Sequence, residues 1–121
     1  MKKNRISKNW VNKQRRDTYV RQSKVDGYRA RSAYKLIEID DKFKIFKGGL
    51  TVIDIGAAPG SWSQYVSKVV RNGKIISVDL KEMEPINNTT QIKGDFTDDR
   101  IQEEIKHLDN KKILKSLRYN N

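Results

Sequence analysis

Three aspartates follow apolar runs along this chain and could form one binding edge. Asp54 lies at the end of the first run, Asp79 ends the second, and Asp95 follows the third and precedes Phe96. Carboxylates accept hydrogen bonds, so Asp79 is suited to hold a ribose diol. Asp95 and Phe96 offer a carboxylate and an aromatic face to a purine. If parallel strands carry the three acids, these side chains meet at one edge of a sheet.

A loop of small residues between the first run and the next predicted helix narrows the choice of ligand. Gly56, Ala57, Ala58, Pro59 and Gly60 let the backbone turn where larger side chains would block a ligand. A dinucleotide site needs second and third glycines at positions where this loop has none, which disfavours pyrophosphate binding. The loop and the acids together suit a cofactor with ribose, adenine and a cationic centre, and S-adenosylmethionine fits that description.

The hydrophobic pattern predicts the elements that must position this edge. Apolar runs and helical spacing predict parallel strands near 50–55, 74–79 and 90–93, with helices near 31–46, 61–70 and 98–108. Ser61 can cap the helix that follows the loop. The predicted fold class is α/β, with a parallel sheet of three strands.

Each candidate residue also has a purely structural interpretation. Any one of the aspartates could simply end a strand in solvent, and Trp62 or Phe96 could belong to the core. Lys35 could be an ordinary surface lysine. The presence of three acids at strand ends after a glycine loop favours the cofactor interpretation.

The positive charge is concentrated at the start of the chain. The net charge is +11, and residues 1–35 contribute +10 of it through twelve Lys or Arg and two Asp. Four aromatic residues lie among them and could stack on bases. A charge run is often only a solvated, partly disordered tail, but this one leads into Lys35, which favours RNA binding through phosphates. The predicted RNA-binding residues are Arg15, Arg16, Arg21, Lys24, Arg29, Arg31 and Lys35.

Composition argues against several other kinds of site. The chain has no cysteine, so it forms no disulfide and no thiolate metal site, and its single histidine, His107, falls in a predicted helix. We therefore expect no metal. The start of the chain has no apolar segment like that of a secretory signal, and no apolar run is long enough to span a membrane. We expect a cytoplasmic monomer without a membrane partner.

Four segments together resemble the FtsJ-type ribosomal RNA large-subunit methyltransferase E family. They are Arg29–Ile39, Val52–Gln64, Asp79–Leu80 and Gly94–Asp98, and the resemblance covers about Trp10 to Asp99. It implies the N-terminal part of a Rossmann-like fold that uses S-adenosylmethionine. Residues 1–30 would form a basic RNA-binding arm, and residues 31–121 would form the methyltransferase part. The implied reaction is 2′-O-methylation of uridine in large-subunit ribosomal RNA, with that RNA or the large ribosomal subunit as partner.

The resemblance also implies roles for individual residues. Lys35 matches the first lysine of the family's catalytic set, Gly60 and Trp62 would contact the methionine end of the cofactor, and Asp79 would hold the ribose. Asp95 and Phe96 would recognise adenine. The implied cofactor-binding residues are Asp54, Gly56, Ala57, Pro59, Gly60, Ser61, Trp62, Asp79, Leu80, Asp95 and Phe96. Ser61 stands where the family usually has a second glycine.

The resemblance is expected to end at about Lys112. The family there has a fourth strand ending in an Asp-Met-Ala-Pro-like motif, followed by a second lysine and a glutamate, whereas this sequence has no carboxylate side chain after Asp109. In the family the second lysine is the base, which leaves Lys35 to hold RNA. We therefore expect a truncated methyltransferase that transfers methyl groups poorly by itself. The alternatives are an inactive RNA- or cofactor-binding remnant and one half of a split enzyme.

Overall fold

The computed structural model describes the backbone of residues 2–108 and 114–115, and the side chains of residues 8–108. The elements in chain order are α1 (Lys2–Asp26), α2 (Ser32–Phe43), β1 (Thr51–Ile55), α3 (Ser61–Val69), β2 (Lys74–Asp79), β3 (Thr89–Lys93), α4 (Asp99–Leu108) and β4 (Leu114–Lys115).

The strands form one parallel sheet in the order β3-β2-β1-β4. Ile53 of β1 lies beside Ile76 of β2, and Val78 of β2 lies beside Ile92 of β3. This confirms the predicted α/β fold and its three parallel strands, whose boundaries differ from the predicted ones by one residue at most. Because all the strands are parallel, their carboxyl ends share one edge, as the aspartate pattern required.

The short strand β4 corrects the expectation that only three strands would form. Leu114 lies beside Val52 and Lys115 beside Ile53 in a parallel pair. A sheet edge offers unpaired backbone amide and carbonyl groups, so a short segment can pair there without the apolar run that marks a buried strand. The other residues of 109–121 lie outside the described part of the chain.

Helices cover both faces of the sheet. Alternate residues of β1 point to opposite faces, so Val52 packs with Leu36 and Trp62 under α2 and α3, while Ile53 packs with Ile105 of α4. The result is a three-layer arrangement that holds the strand ends rigidly.

Helix α2 ends at Phe43, three residues before the predicted boundary, because Asp40 stops it. Lys44 adopts a left-handed conformation with φ 51°, and its amide donates to the Asp40 carbonyl at 2.7 Å. The Asp40 carboxylate then accepts the amides of Ile45 and Phe46 at 2.9 and 3.0 Å. The chain therefore turns and returns Phe46 to the core.

The predicted basic arm forms helix α1, which is 25 residues long. Its C-terminal end packs on α2, where Tyr19 stacks on Tyr34 with ring centroids 5.2 Å apart and donates a hydrogen bond to Glu38 at 3.0 Å. Nearer the N-terminus of α1, Trp10 is 61% exposed. The basic segment thus forms a helix whose C-terminal half contacts α2, and the division of the chain at residue 30 stays a prediction. Among the described helices, none combines the length and apolar character needed to cross a membrane.

Candidate functional site

The loop after β1 is tied across the end of β2 by backbone hydrogen bonds. Gly56 has φ 72°, and the amides of Gly56 and Ala57 both donate to the Val78 carbonyl, at 2.7 and 3.1 Å. The next amide, that of Ala58, donates to Oδ2 of Asp79 at 2.9 Å. The positive φ at Gly56 is a conformation that glycine adopts without the strain of a side chain.

Asp79 joins this loop to the segment that follows β2. Its Oδ2 accepts the Ala58 amide, and its Oδ1 accepts the Lys81 amide at 2.8 Å. The side chain is half-buried. One carboxylate thus organises two backbone segments at the edge of the sheet. The ribose-binding role of Asp79 stays a prediction.

Gly60 is the N-cap of α3 and has φ 114°. A Cβ at this position would come within 2.8 Å of the Ile86 side chain and 3.1 Å of an Arg29 guanidinium nitrogen. The positive φ favours glycine here, whereas the two contacts are with the ends of flexible side chains. The prediction that Ser61 caps α3 is wrong, because the helix has no side-chain cap and the Ser61 hydroxyl is hydrogen-bonded to that of Ser32 at 2.8 Å.

Asp54 and Trp62, both predicted to bind the cofactor, have buried side chains, as do Ala57 and Ser61. Asp54 is 1% exposed and accepts a hydrogen bond from the Ser63 hydroxyl at 2.7 Å, and this hydroxyl also lies 2.6 Å from that of Ser77. The interpretation of Asp54 as an acid in solvent is therefore wrong. Trp62 is 5% exposed in the core, and its indole donates to the Ser32 carbonyl at 2.9 Å. Both side chains support the loop from below.

Asp95 and Phe96 follow β3 at the same edge of the sheet. Asp95 is exposed, and its Oδ1 accepts hydrogen bonds from the hydroxyl and the amide of Thr97 at 2.7 and 2.9 Å. These two bonds hold the pKa of Asp95 below its usual value. Phe96 packs partly buried against the core on the α4 side. Leu80, beside Asp79, is 68% exposed.

A cavity of about 1100 Å³ lies beside the loop. Its lining residues are Arg29, Ala58, Pro59, Lys81, Glu82, Met83, Glu84, Pro85 and Gln91. Asp79 borders a smaller cavity of about 130 Å³, which shares Lys81, Glu82, Met83 and Gln91 with the larger one. The segment 82–88 connects β2 to β3 and carries no motif in the sequence. Its position directly after Asp79 was the available signal that it lines the site.

Arg29 reaches across this cavity. Its Nη1 donates to the carbonyls of Pro59 at 3.0 Å and Glu84 at 2.7 Å, and its Nη2 donates to the carbonyl of Pro85 at 2.9 Å. The Arg29 amide donates to Oε1 of Gln64 at 2.8 Å, and Nε2 of Gln64 donates to the Gly27 carbonyl at 3.0 Å. Gln64 of α3 therefore anchors the segment that carries Arg29, a role that the sequence analysis missed.

The other predicted RNA-binding residues lie on α1, on α2 and directly before α2. Lys35 is exposed on α2, one turn after Ser32, whose hydroxyl contacts Ser61 at the start of α3. The remaining five are also exposed and lie on α1 or just before α2; they are Arg15, Arg16, Arg21, Lys24 and Arg31. Within residues 8–108, no three His, Asp or Glu side chains are grouped so as to hold a metal ion.

Comparison with known proteins adds an independent line of evidence. The family model for FtsJ-like methyltransferase matches residues 28–115. The match extends past Lys112, so the predicted end of the resemblance was a few residues too early. The chain is 72% identical over 113 residues to ribosomal RNA large subunit methyltransferase E of Pelagibacter ubique, covering 93% of this chain and 56% of that protein.

Other relatives give the same pattern of coverage. Identity to the protein of the same name from Hahella chejuensis is 46% over 106 residues, covering 87% of this chain and 52% of that protein. The chain spans about half the length of these curated relatives. A crystal structure described as a ribosomal RNA methyltransferase from Plasmodium falciparum is similar with a TM-score of 0.63 and 33% identity, over 78% of this chain and 58% of that one.

Proposed function

We propose that this chain, which belongs to the FtsJ-like methyltransferase family, binds S-adenosylmethionine at the loop 56–60 and presents it to ribosomal RNA. The observation that carries the proposal is the Asp79 carboxylate, which accepts the Ala58 amide on one oxygen and the Lys81 amide on the other. This holds the glycine loop and the cavity-lining segment around one acid, where a ribose diol can be recognised.

Three features of the site fit the cofactor. The cavity of about 1100 Å³ has room for a small-molecule ligand, since such pockets usually measure roughly 300–1,000 Å³. Asp79 and Asp95 supply carboxylates for ribose and adenine. Gly60 has φ 114°, so the loop turns into α3 at a residue that has no side chain. Calorimetry below tests whether these features bind the cofactor.

The chemistry of the proposed reaction divides between cofactor and chain. S-adenosylmethionine supplies an electrophilic methyl group on a sulfonium centre. Asp79 would hold the ribose, and Asp95 with Phe96 would hold the adenine. Lys35, exposed one turn after the start of α2, would hold the RNA near the loop. Proper alignment of the two reactants contributes much of the rate of such displacements.

The RNA side of the proposal is supported by α1. Arg15, Arg16, Arg21 and Lys24 are exposed on one ordered helix whose C-terminal end packs on α2, the helix of Lys35. A cationic helix binds phosphates without regard to sequence. Methylation of uridine 2′-hydroxyls in large-subunit ribosomal RNA by a cytoplasmic monomer remains the proposed setting.

Calorimetry with S-adenosylmethionine tests the cofactor assignment. We expect saturable binding by the folded chain, and no saturable binding of a nicotinamide dinucleotide, because the loop lacks the second and third glycines of a pyrophosphate site. Absence of saturable heat at millimolar S-adenosylmethionine would overturn the proposal. Saturable binding of the dinucleotide instead would favour the dinucleotide alternative.

Transfer of labelled methyl groups to ribosomal subunits tests the role of Lys35. We expect slow transfer by the wild-type chain, and a further fall of at least about tenfold in Lys35→Ala through poorer positioning of the RNA. Lys42→Ala removes an exposed lysine elsewhere on α2 and serves as the control, which should keep wild-type transfer. Equal transfer by both variants would contradict the role of Lys35. Cofactor binding without any transfer by the wild type would favour the binding-only alternative.

A further inference from the structure

The guanidinium of Arg29 makes contacts that a phosphate-binding arginine would not need. Its three hydrogen bonds all go to backbone carbonyls, one in the glycine loop at Pro59 and two across the cavity at Glu84 and Pro85. The side chain is half-buried, whereas its neighbour Arg31 is exposed. The guanidinium therefore connects two separate segments of chain that line the cavity.

Both sides of this connection are independently anchored. On the near side, Gln64 holds the Arg29 amide and the Gly27 carbonyl, which ties the segment to α3. On the far side, the Glu84 carbonyl also accepts Nε2 of Gln91 at 3.0 Å, which ties the segment to β3. Arg29 thus links two segments, one hydrogen-bonded to α3 and the other to β3.

We propose that Arg29 is a positioning residue that sets the width of the cofactor cavity, and that it does not serve as a phosphate ligand for RNA. The proposal rests on the assignment of the cavity to S-adenosylmethionine. The planar guanidinium carries several donors in a fixed arrangement, so one side chain can satisfy three carbonyls at once. A lysine ammonium keeps the charge but lacks that geometry.

The contacts of Gly60 give a second reason for this assignment. A Cβ there would lie 3.1 Å from Arg29 Nη1, 2.8 Å from Ile86 and 3.4 Å from the Met83 sulfur. The glycine backbone therefore lies directly against Arg29 and the segment that Arg29 holds. Loss of the guanidinium would release this segment from the loop that the cofactor is proposed to contact.

Substitution of Arg29 separates positioning from RNA binding. We expect Arg29→Lys and Arg29→Ala each to weaken S-adenosylmethionine binding at least about tenfold in calorimetry, because neither replacement links the three carbonyls. Arg31→Ala should leave the affinity for S-adenosylmethionine within twofold of the wild-type value. Free guanidinium ion at millimolar concentration should restore part of the binding lost in Arg29→Ala, a recovery that would not follow from general destabilisation.

RNA titrations give the opposite pattern. Arg31→Ala should reduce the dependence of RNA affinity on salt by about one phosphate contact, whereas Arg29→Ala should leave that dependence unchanged. The proposal would be overturned if Arg29→Lys bound the cofactor with wild-type affinity and Arg29→Ala lost affinity only for RNA. Arg29 would then be a phosphate ligand.

A cofactor-free measurement keeps this inference distinct from the proposed function. Glutamyl endopeptidase can cut after Glu82, which is exposed and precedes the half-buried Met83. We expect cleavage there to be at least about tenfold faster in Arg29→Ala than in the wild type or in Arg31→Ala. Unchanged cleavage would overturn the role of Arg29 in holding the segment. A different outcome is faster cleavage in Arg29→Ala together with no binding of S-adenosylmethionine by the wild type. It would contradict the cofactor assignment, and with it the proposed role of the cavity, while leaving the structural link intact.

Discussion

Asp79→Ala is expected to abolish measurable binding of S-adenosylmethionine, with a loss of at least about 100-fold in affinity. Hydrogen bonds to a charged group contribute about 1.5–3 kcal/mol each, and a ribose diol would donate two of them. Each 1.4 kcal/mol corresponds to about tenfold in affinity. The substitution also removes the acceptor of the Ala58 and Lys81 amides, so the loop loses the group that holds it.

Calorimetry measures this effect, and two variants delimit it. Asp41→Ala removes an exposed carboxylate from α2 and should bind like the wild type. Asp79→Asn retains one acceptor oxygen and should fall between the wild type and the alanine variant. Circular dichroism confirms that each variant is folded. A dissociation constant for folded Asp79→Ala within threefold of the wild-type value would exclude Asp79 from the cofactor site.

Neutralising the exposed cations of α1 should have the second large effect. The variant replaces Arg15, Arg16, Arg21 and Lys24 by Gln, and none of these side chains is buried. We expect affinity for ribosomal RNA at low salt to fall by about 100-fold. The slope of log affinity against log salt should decrease by about three, since each phosphate contact contributes about 0.7–0.9 to that slope.

A variant with the same change in net charge provides the control. Lys42, Lys47, Arg71 and Lys106 are exposed cations outside α1, and their replacement by Gln should lower the affinity only slightly. Filter binding over a range of salt concentrations measures both variants. Equal losses in the two would mean that RNA responds to the overall charge, and that α1 is not the binding surface.

The sheet and the edge at which its strands end could be predicted because hydrophobic periodicity is a local property of the sequence. The apolar runs around Ile53, Ile76 and Ile92 each mark a strand, and parallel order then brings their carboxyl ends together. Asp79 followed directly from that pattern. The hydrogen-bond partners of Asp79 could not be predicted, because the Ala58 and Lys81 backbone amides carry no signature in the sequence.

Other features depend on contacts that no local pattern encodes. Helix α1 was not predicted because it lacks an apolar stripe. Its Lys, Arg and Gln residues have good helix propensity, but propensity alone is a weak signal, and the stacking of Tyr19 on Tyr34 is not visible in the sequence. The positive charge of Arg29 suggested phosphate, whereas its observed partners are backbone carbonyls distant in sequence. Asp54 was assigned to the ligand edge, although period-two alternation places it on the face that α3 buries.

The contrast between the two tryptophans gives this protein its own optical reporters. Trp62 is 5% exposed beneath the loop and donates its indole hydrogen to the Ser32 carbonyl, while Trp10 is 61% exposed on α1. A collisional quencher in solvent reaches an exposed indole much more readily than a buried one. Fluorescence can therefore follow the core and the basic helix separately, without any attached dye, in a single sample.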